Sequence, residues 1–293
     1  MKVAVLGGNG QLGTDVVLAF RGAGGHDVLP MTHAQVDVTD PESVRAALAQ
    51  GRADVVVNCA AFHRVDDCEK RPDEAFRVNA LGALHVARAC AEINALCVYI
   101  STDYVFDGQK GMPYTEEDCP RPVNTYGASK LAGEHLVAQS CPRWIIARVA
   151  SLFGRAGPRG KRSNFVEAIL AKGTAGEPVR VVDDMRMSPT YTHDAARALA
   201  HLIRQGATGV FHLTNAGACS WFEYAEEILA LAHLEATVEP VRSSDHFSAA
   251  RRPRNSSLRG LKVDGPAKQS LRPWEEALKA YLDDRNAEAR PEP

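Results

Sequence analysis

The chain of 293 residues lacks any marked excess of charge. It has 34 Lys and Arg against 36 Asp and Glu, a formal net charge of −2. That excludes a basic surface spread over the whole molecule, the usual footprint of a nucleic-acid or anionic-membrane binder, and leaves only local patches open. The chain also lacks paired cysteines. Its seven, at 59, 68, 90, 97, 119, 141 and 219, are scattered, odd in number and without a CxxC. Reduced thiols are the expectation, not a disulfide framework or a zinc ribbon. Ten histidines contain no HExxH and no close Cys/His cluster, so no metal is expected. No stretch has the roughly 18 apolar residues of a membrane span, and glycines break the first apolar run too early for a signal peptide. The expected location is therefore the cytoplasm, without nucleic-acid or membrane partners. Internal repeats and long low-complexity segments are absent too.

What is present is ordinary globular composition, 45% hydrophobic and 24% charged, in a chain long enough for one large domain or two smaller ones. Short runs rich in Val and Ile read as strands at 2–6, 27–31, 54–58, 97–101 and 144–148. They lack polar alternation, as strands covered on both faces should. Helical patterns lie between them at 11–21, 41–50 and 73–94, the second opening on Pro41 after Asp40 as N-cap. Strand and helix in alternation imply parallel pairing through right-handed crossovers. The fold class is therefore α/β, a doubly wound parallel sheet of Rossmann type over residues 1–150. After 150 the rhythm loosens. A glycine- and charge-rich loop at 155–163 precedes a helix at 165–173, a strand at 179–183, a helix at 193–205, a strand at 209–214 and a helix at 221–234. Residues 151–293 are expected to form mainly a smaller α/β substrate-binding domain, with segments near 179–215 returning to the first. The final 285–293 read as a disordered tail.

The first strand runs into GGNGQLG (7–13), which runs into a helix. Glycines at 7, 10 and 13 let the chain turn sharply and let a pyrophosphate approach the backbone, and the helix N-terminus supplies free N–H groups. A dinucleotide cofactor follows, held by Gly7, Gly10, Gln11, Leu12 and Gly13. The second strand ends in MTH (31–33), without the carboxylate that would take the ribose 2′-hydroxyl of NAD. That favours NADPH, with His33 as a possible aid and NADH as the alternative. Asp37 and Val38 are placed beside the adenine, though capping or solvation suits Asp37 equally.

Residues 126–130 read YGASK. In a helix, the i, i+4 spacing puts Tyr126 and Lys130 on one face. A free phenol has a pKa near 10, and a neighbouring ammonium is expected to lower it and so fit Tyr126 for acid–base work. YxxxK alone is a weak signal, and a surface Tyr lying on a Lys stem is its bland alternative. Its position after the fourth strand strengthens it. That strand leads into STDYVFDG (101–108), where Thr102 is placed to donate a hydrogen bond to a substrate carbonyl.

With these segments in hand, the chain resembles the extended short-chain dehydrogenase/reductases, and within them the dTDP-4-dehydrorhamnose reductase group. The resemblance rests on GGNGQLG (7–13), NCAA (58–61), YISTDYVFDG (99–108), NTYGASKLAGE (124–134), SPTYTHDAA (188–196) and RPRNSSL (252–258), spread in order over nearly the whole chain. It implies a catalytic set of Thr102, Tyr126 and Lys130. It also implies a cofactor lining that includes Ala60, Ala61 and Lys130, and a sugar site near Asp103 and Tyr104. The reaction it implies is NAD(P)H-dependent reduction of the 4-keto group of a dTDP-4-keto-6-deoxyhexose, in first place dTDP-4-dehydrorhamnose, by a protein that forms a homodimer in some readings. The alternatives are a reductase of another nucleotide-sugar and a cofactor-binding regulatory subunit resembling that of methionine adenosyltransferase.

Three positions depart from the group's pattern. His63 stands where a small hydroxyl residue is usual, Ser151 where an aromatic would contact the sugar, and Met185 where Gln is common. His63 and Ser151 lie on the substrate side, which points to an altered sugar pocket. The basic cluster of Arg251, Arg252 and Arg254 reads as a clamp for the nucleotide diphosphate or as a solvated loop; Arg252 is named for the clamp, although the sequence does not say which arginine points inward. Trp221 and Phe222 read as core.

Overall fold

The computed structural model describes residues 1–156, 164–245, 248–264 and 270–288. Most of the loop expected at 155–163 lies outside them, as do residues 289–293.

Six parallel strands form the central sheet. In chain order the first five are β1 (Lys2–Leu6), β2 (Asp27–Met31), β3 (Val55–Asn58), β4 (Leu96–Thr102) and β5 (Trp144–Val149). The sixth, Gly209–His212, pairs with β5. Spatial order is β2-β1-β3-β4-β5 and then Gly209–His212, so the winding reverses between β1 and β3. Side chains alternate across each strand. Val3 and Val5 of β1 join one core layer with Val55, Val57, Leu96, Val98, Ile145 and Ala147. Ala4 and Leu6 enter the opposite layer with Val56, Cys97, Tyr99 and Ile146. Burial on both faces is why the strands read as unbroken apolar runs.

Helix α1 (Gln11–Gly22) packs Leu12, Val16, Val17 and Phe20 under one face of the sheet. Helix α2 (Pro41–Gly51) starts as the sequence indicates, with the Asp40 side chain accepting from the Glu42 N–H. The long helix expected over 73–94 is instead broken. After α3 (Val65–Lys70) come α4 (Pro72–Phe76), a π-helical turn at Arg77–Leu81 and α5 (Gly82–Glu92). The wider turn is held by Asn79. Its amide Oδ1 accepts from the Phe62 N–H at 2.8 Å, and its Nδ2 donates to the Phe62 carbonyl at 3.0 Å. Such interruptions gather at functional sites. Helix α6 (Thr125–Ser140) is capped by Asn124, whose side chain accepts from the Gly127 N–H.

The smaller lobe begins with β6 (Leu152–Phe153) and α7 (Phe165–Thr174). It continues with β7 (Val179–Val182), β8 (Arg186–Met187) and β9 (Thr190–Tyr191). Helix α8 (Thr192–Arg204) then crosses back to lie on α1, and Gly209–His212, now β10, completes the main sheet. Strand β7, in the span expected to return with them, pairs instead with β12 (Val238–Val241) in the small lobe. Strand β11 (Cys219–Ser220), antiparallel to β8, leads into α9 (Trp221–Leu231). A short α10 (Leu261–Asp264) precedes α11 (Trp274–Glu288). The lobe's core is aromatic. Phe153 stacks on Tyr191 at 5.5 Å, and Tyr281 meets both edge-on. The tail expected to be disordered from 285 is helical to Glu288, because α11 is tied by Arg285 to Glu167 at 2.9 Å. No helix among the described residues is long and apolar enough to cross a membrane.

Candidate active site

A cleft of about 760 Å³ opens at the carboxyl ends of β1, β3, β4 and β5 and reaches the small lobe. In a doubly wound sheet the reversal of strand order splays the connecting loops there. The cleft is lined by Gly7, Gly10, Gln11, Leu12, Gly13, Asp37, Val38, Ala60 and Ala61 on one side. His63, Thr102, Asp103, Tyr126, Lys130 and Ser151 line its other reaches. Residues from six separate stretches of the sequence thus line one cleft.

The glycine loop is built for close approach. Gly7 has φ +73°, and its N–H donates to the Met31 carbonyl at 2.8 Å. A Cβ on Gly13 would lie 2.2 Å from the Gly7 carbonyl oxygen, so the helix packs against the turn only with glycine there. Gly10 caps α1 without a side chain, which leaves the first N–H groups facing outward. The side-chain amide nitrogen of Gln11 is buried without a hydrogen-bond partner at the same end. A free donor, a positive helix end and a cradle without side chains fit a dinucleotide pyrophosphate.

Asp37 turns inward. Its Oδ1 accepts from the Thr39 N–H at 2.9 Å and from the Thr39 hydroxyl at 2.8 Å. These bonds hold its carboxyl below the usual range, helped by His33 and Arg77. One oxygen of the carboxylate is therefore engaged in its own turn, while the residue still lines the cleft after β2.

At the centre, Lys130 is buried on α6 and its Nζ lies 3.9 Å from the centroid of the Tyr99 ring. Burial pushes the lysine down to about 7, against the pull of Glu134 and Cys59. Tyr126, half-buried, departs from expectation. Its phenol is raised and not lowered, because burial outweighs the hydrogen bond from Thr102. Lys130 is not among the groups that shift the phenol, so the ammonium effect foreseen from spacing does not appear. A raised phenol stays protonated at neutral pH, which suits a proton donor. In this geometry the one hydroxyl proton of Thr102 goes to Asp103 Oδ1 at 2.9 Å, and its oxygen accepts from the Tyr104 N–H at 3.2 Å. Burial pushes the Asp103 carboxyl up to about 6, with Ser256 and Thr102 pulling it back.

Two expected substrate residues sit outside the cleft lining. Tyr104 packs edge-on against Tyr126 at 6.1 Å. Arg252 is committed to Asp66, with Nη2 2.8 Å from Oδ2, and touches Ser248. Asp66 also accepts from Ser248 and the Ala250 N–H, and its carboxyl is held at about 2. The pair fastens the 248–254 segment to α3 instead of pointing a free guanidinium at a diphosphate.

The glycine cradle and the Thr102–Tyr126–Lys130 cluster face one cleft, and comparison with known proteins gives the family. A family model described as the RmlD substrate binding domain matches residues 1–287. The chain belongs to this family. It is 37% identical over 281 residues to the dTDP-4-dehydrorhamnose reductase of Mycolicibacterium smegmatis, covering 94% of this chain and 84% of the relative. It is 38% identical over 256 residues to the dTDP-4-keto-6-deoxy-D-glucose reductase of Streptomyces niveus, covering 87% of each. Among solved structures it superposes on the dTDP-4-dehydrorhamnose reductase of Bacillus anthracis in complex with NADP. The TM-score is 0.92 at 34% identity, over 97% of this chain and 99% of that one.

Sequence reasoning missed several residues of this family member's site. Asn79 and Tyr99 lie beneath the acid–base pair, and Cys59 lines the cleft beside Lys130. Trp221, read as core, is half-buried and faces the cleft with Phe165 and Tyr224. Phe165 meets Trp221 edge-on at 4.7 Å and stacks on Tyr224 at 5.6 Å. These aromatics line the same cleft as Ser151. Trp221 opens a helix with a capping box at Ser220 and Glu223. The sequence shows that helix start, and nothing local shows which way its first side chain points.

Proposed function

We propose that this chain is an NADPH-dependent reductase of dTDP-4-dehydrorhamnose, giving dTDP-L-rhamnose. The observation that carries the reading is the joining of Thr102, Tyr126 and buried Lys130 in the cleft that also holds the glycine cradle. The family and the NADP complex of the B. anthracis relative support it. The reduced nicotinamide supplies the hydride for C4 of the sugar. The protein supplies the rest. The Thr102 hydroxyl donates to the substrate's carbonyl oxygen and polarises it. Tyr126 gives that oxygen its proton as negative charge builds there. Lys130, as the ammonium, steadies the phenolate left behind. Cofactor residues Gly7, Gly10, Gln11, Leu12, Gly13, Ala60 and Ala61 hold the dinucleotide, with Asp37 and Val38 at its adenine end. His63, Asp103 and Ser151 border the sugar.

A second reading has its own support. Ser151, where the group's pattern has an aromatic, lines the cleft, and a relative 38% identical is named for a different 4-keto sugar. The purified protein, given each dTDP-4-keto sugar with NADPH, tests both readings by loss of NADPH absorbance and by NMR of the product. Steady turnover of dTDP-4-dehydrorhamnose as the better substrate supports the first. A higher kcat/KM for dTDP-4-keto-6-deoxy-D-glucose moves the assignment to the second. Cofactor binding with no turnover of either sugar would favour a regulatory subunit. A cytoplasmic homodimer remains part of the proposal, and fractionation with sedimentation velocity tests it.

A further inference from the structure

The lysine of the acid–base pair has an unusual seat. Lys130 is almost wholly buried, and its ammonium rests on the face of a phenol ring, Nζ to Tyr99 centroid 3.9 Å. Tyr99 comes from β4, is fully buried, and points into the layer between the sheet and α6. At its far end the phenol hydroxyl donates to the Asn79 carbonyl at 2.7 Å, inside the π-helical turn. Asn79 in turn bonds the Phe62 backbone and, through Nδ2, the Ser129 hydroxyl at 3.0 Å. Ser129 donates to the Tyr126 carbonyl at 2.8 Å. Gly133 makes room for the arrangement, since a Cβ there would lie 2.5 Å from the Tyr99 hydroxyl and 2.4 Å from the Asn79 carbonyl oxygen. One side chain thus touches the lysine with its face and the supports of the tyrosine with its tip.

We propose that Tyr99 is a positioning residue for the acid–base pair: its ring face holds the Lys130 ammonium in place and charged, and its hydroxyl anchors the π-turn at Asn79. The proposal rests on the acid–base roles given to Tyr126 and Lys130 above. A desolvated cation over a ring face is attracted to the ring quadrupole, and the attraction grows as water is excluded. The other groups acting on Lys130 are Glu134 on its own helix and Cys59 from the loop after β3, and Tyr126, one turn earlier on that helix, lines the same cleft. Glu134 is clamped bidentately by Arg148 of β5 and bonded by Ser101 of β4, so much of its charge is already answered. The ring is the partner in direct contact with the ammonium.

The reaction needs Lys130 charged, so the rate falls as pH rises through its pKa. Removing the ring favours the neutral amine and brings that fall to lower pH. Tyr99→Leu is expected to move the alkaline limb of the kcat–pH profile toward acid by about one unit, tenfold in rate on that limb. Tyr99→Phe keeps the ring and loses the anchor, so its limb is expected to stay in place while kcat falls a few-fold. Should Tyr99→Leu not fold, phenylalanines of increasing fluorination at position 99 keep the shape while draining the ring face. Their limb is expected to move stepwise toward acid. An unmoved limb in Tyr99→Leu, or in the fluorinated series, overturns the proposal and leaves Tyr99 as packing alone. A limb that moves as far in Tyr99→Phe as in Tyr99→Leu overturns it as well. The acid–base reading is checked separately by Tyr126→Phe in the same assay, so its failure is told apart from this one.

Discussion

Arg148 and Glu134 face each other across the floor of the site, two strong hydrogen bonds of 2.9 and 2.6 Å joining side chains that are both 5% exposed. Arg148 comes from β5 and Glu134 from α6, one turn beyond Lys130, and Ser101 of β4 donates to the same carboxylate at 2.5 Å. The pair fixes the helix that carries the acid–base residues onto the strands that end beneath them. Removing one partner leaves a buried charge unanswered. Glu134→Gln or Arg148→Met is therefore expected to destabilise the fold by about 3–5 kcal/mol. Replacing both by apolar residues of similar volume should recover most of the loss. Urea unfolding of the two single variants and the double variant measures this, and additive losses would contradict it.

Tyr126→Phe is expected to lower kcat by about 100- to 10,000-fold, with NADPH affinity nearly unchanged. In the proposed mechanism the phenol acts on the substrate and leaves the cofactor's contacts alone. Lys130→Ala should damage both kcat and NADPH binding, since in the proposed mechanism the same side chain steadies the phenolate and touches the cofactor in the cleft that it lines. Turnover assays beside fluorescence titration with NADPH separate the two. Near wild-type turnover in Tyr126→Phe would remove the phenol from the role of acid.

Gly13→Ala tests the cradle. The added methyl would sit 2.2 Å from the Gly7 carbonyl, so the turn must open. NADPH affinity is expected to fall by about tenfold or more, some 1.4 kcal/mol, and the melting temperature should drop with it. Unchanged NADPH binding in a folded Gly13→Ala protein would show that the pyrophosphate lies elsewhere.

Acid stability should depend on Asp194. Burial pushes its carboxyl up, but His193, Arg272 and Asn215 more than reverse this and hold it at about 2. Arg272 donates two bonds of 2.8 Å and Asn215 one of 2.8 Å. The folded pKa is below the unfolded value of about 3.9, so the contribution is fully present above pH 4 and is lost as pH falls toward 2, some 2–3 kcal/mol in all. Asp194→Asn should flatten the stability–pH curve in that window. Chemical denaturation between pH 2 and 6 shows whether the two curves converge at the acid end. Parallel curves would assign the acid loss to other carboxylates.

How much of this was legible in the sequence differs from residue to residue. The glycine loop was readable because its three jobs, a turn, a close approach and a helix start, fall within seven consecutive residues. Tyr126 and Lys130 were readable because one helical turn fixes their relation. The strands of the main sheet were readable because burial on both faces leaves a plain apolar run. The chemical state of the pair was not. The spacing of Tyr126 and Lys130 predicts a lowered phenol, whereas their shared burial raises the tyrosine and lowers the lysine. Desolvation depends on everything packed around a group, and no local pattern records it. Arg252 reads as a diphosphate clamp until the fold brings Asp66 to it from 186 positions away.

The sequence by itself determined the local devices: the cradle, the helical face that carries Tyr126 and Lys130, and Thr102 at a strand end. Those follow from backbone geometry over a few residues. Only the tertiary structure decided that Asn79 would stretch a helix into a π-turn, that Tyr99 would lie under the lysine, and that Trp221 would face the cleft. The first two depend on the strand order of the main sheet, and the third on the seating of the small lobe against it. Contacts such as Asn79 with Phe62, 17 positions away, and with Tyr99, 20 away, are chosen by packing the whole sheet at once, and the segments that take part look, one by one, like ordinary strand and helix.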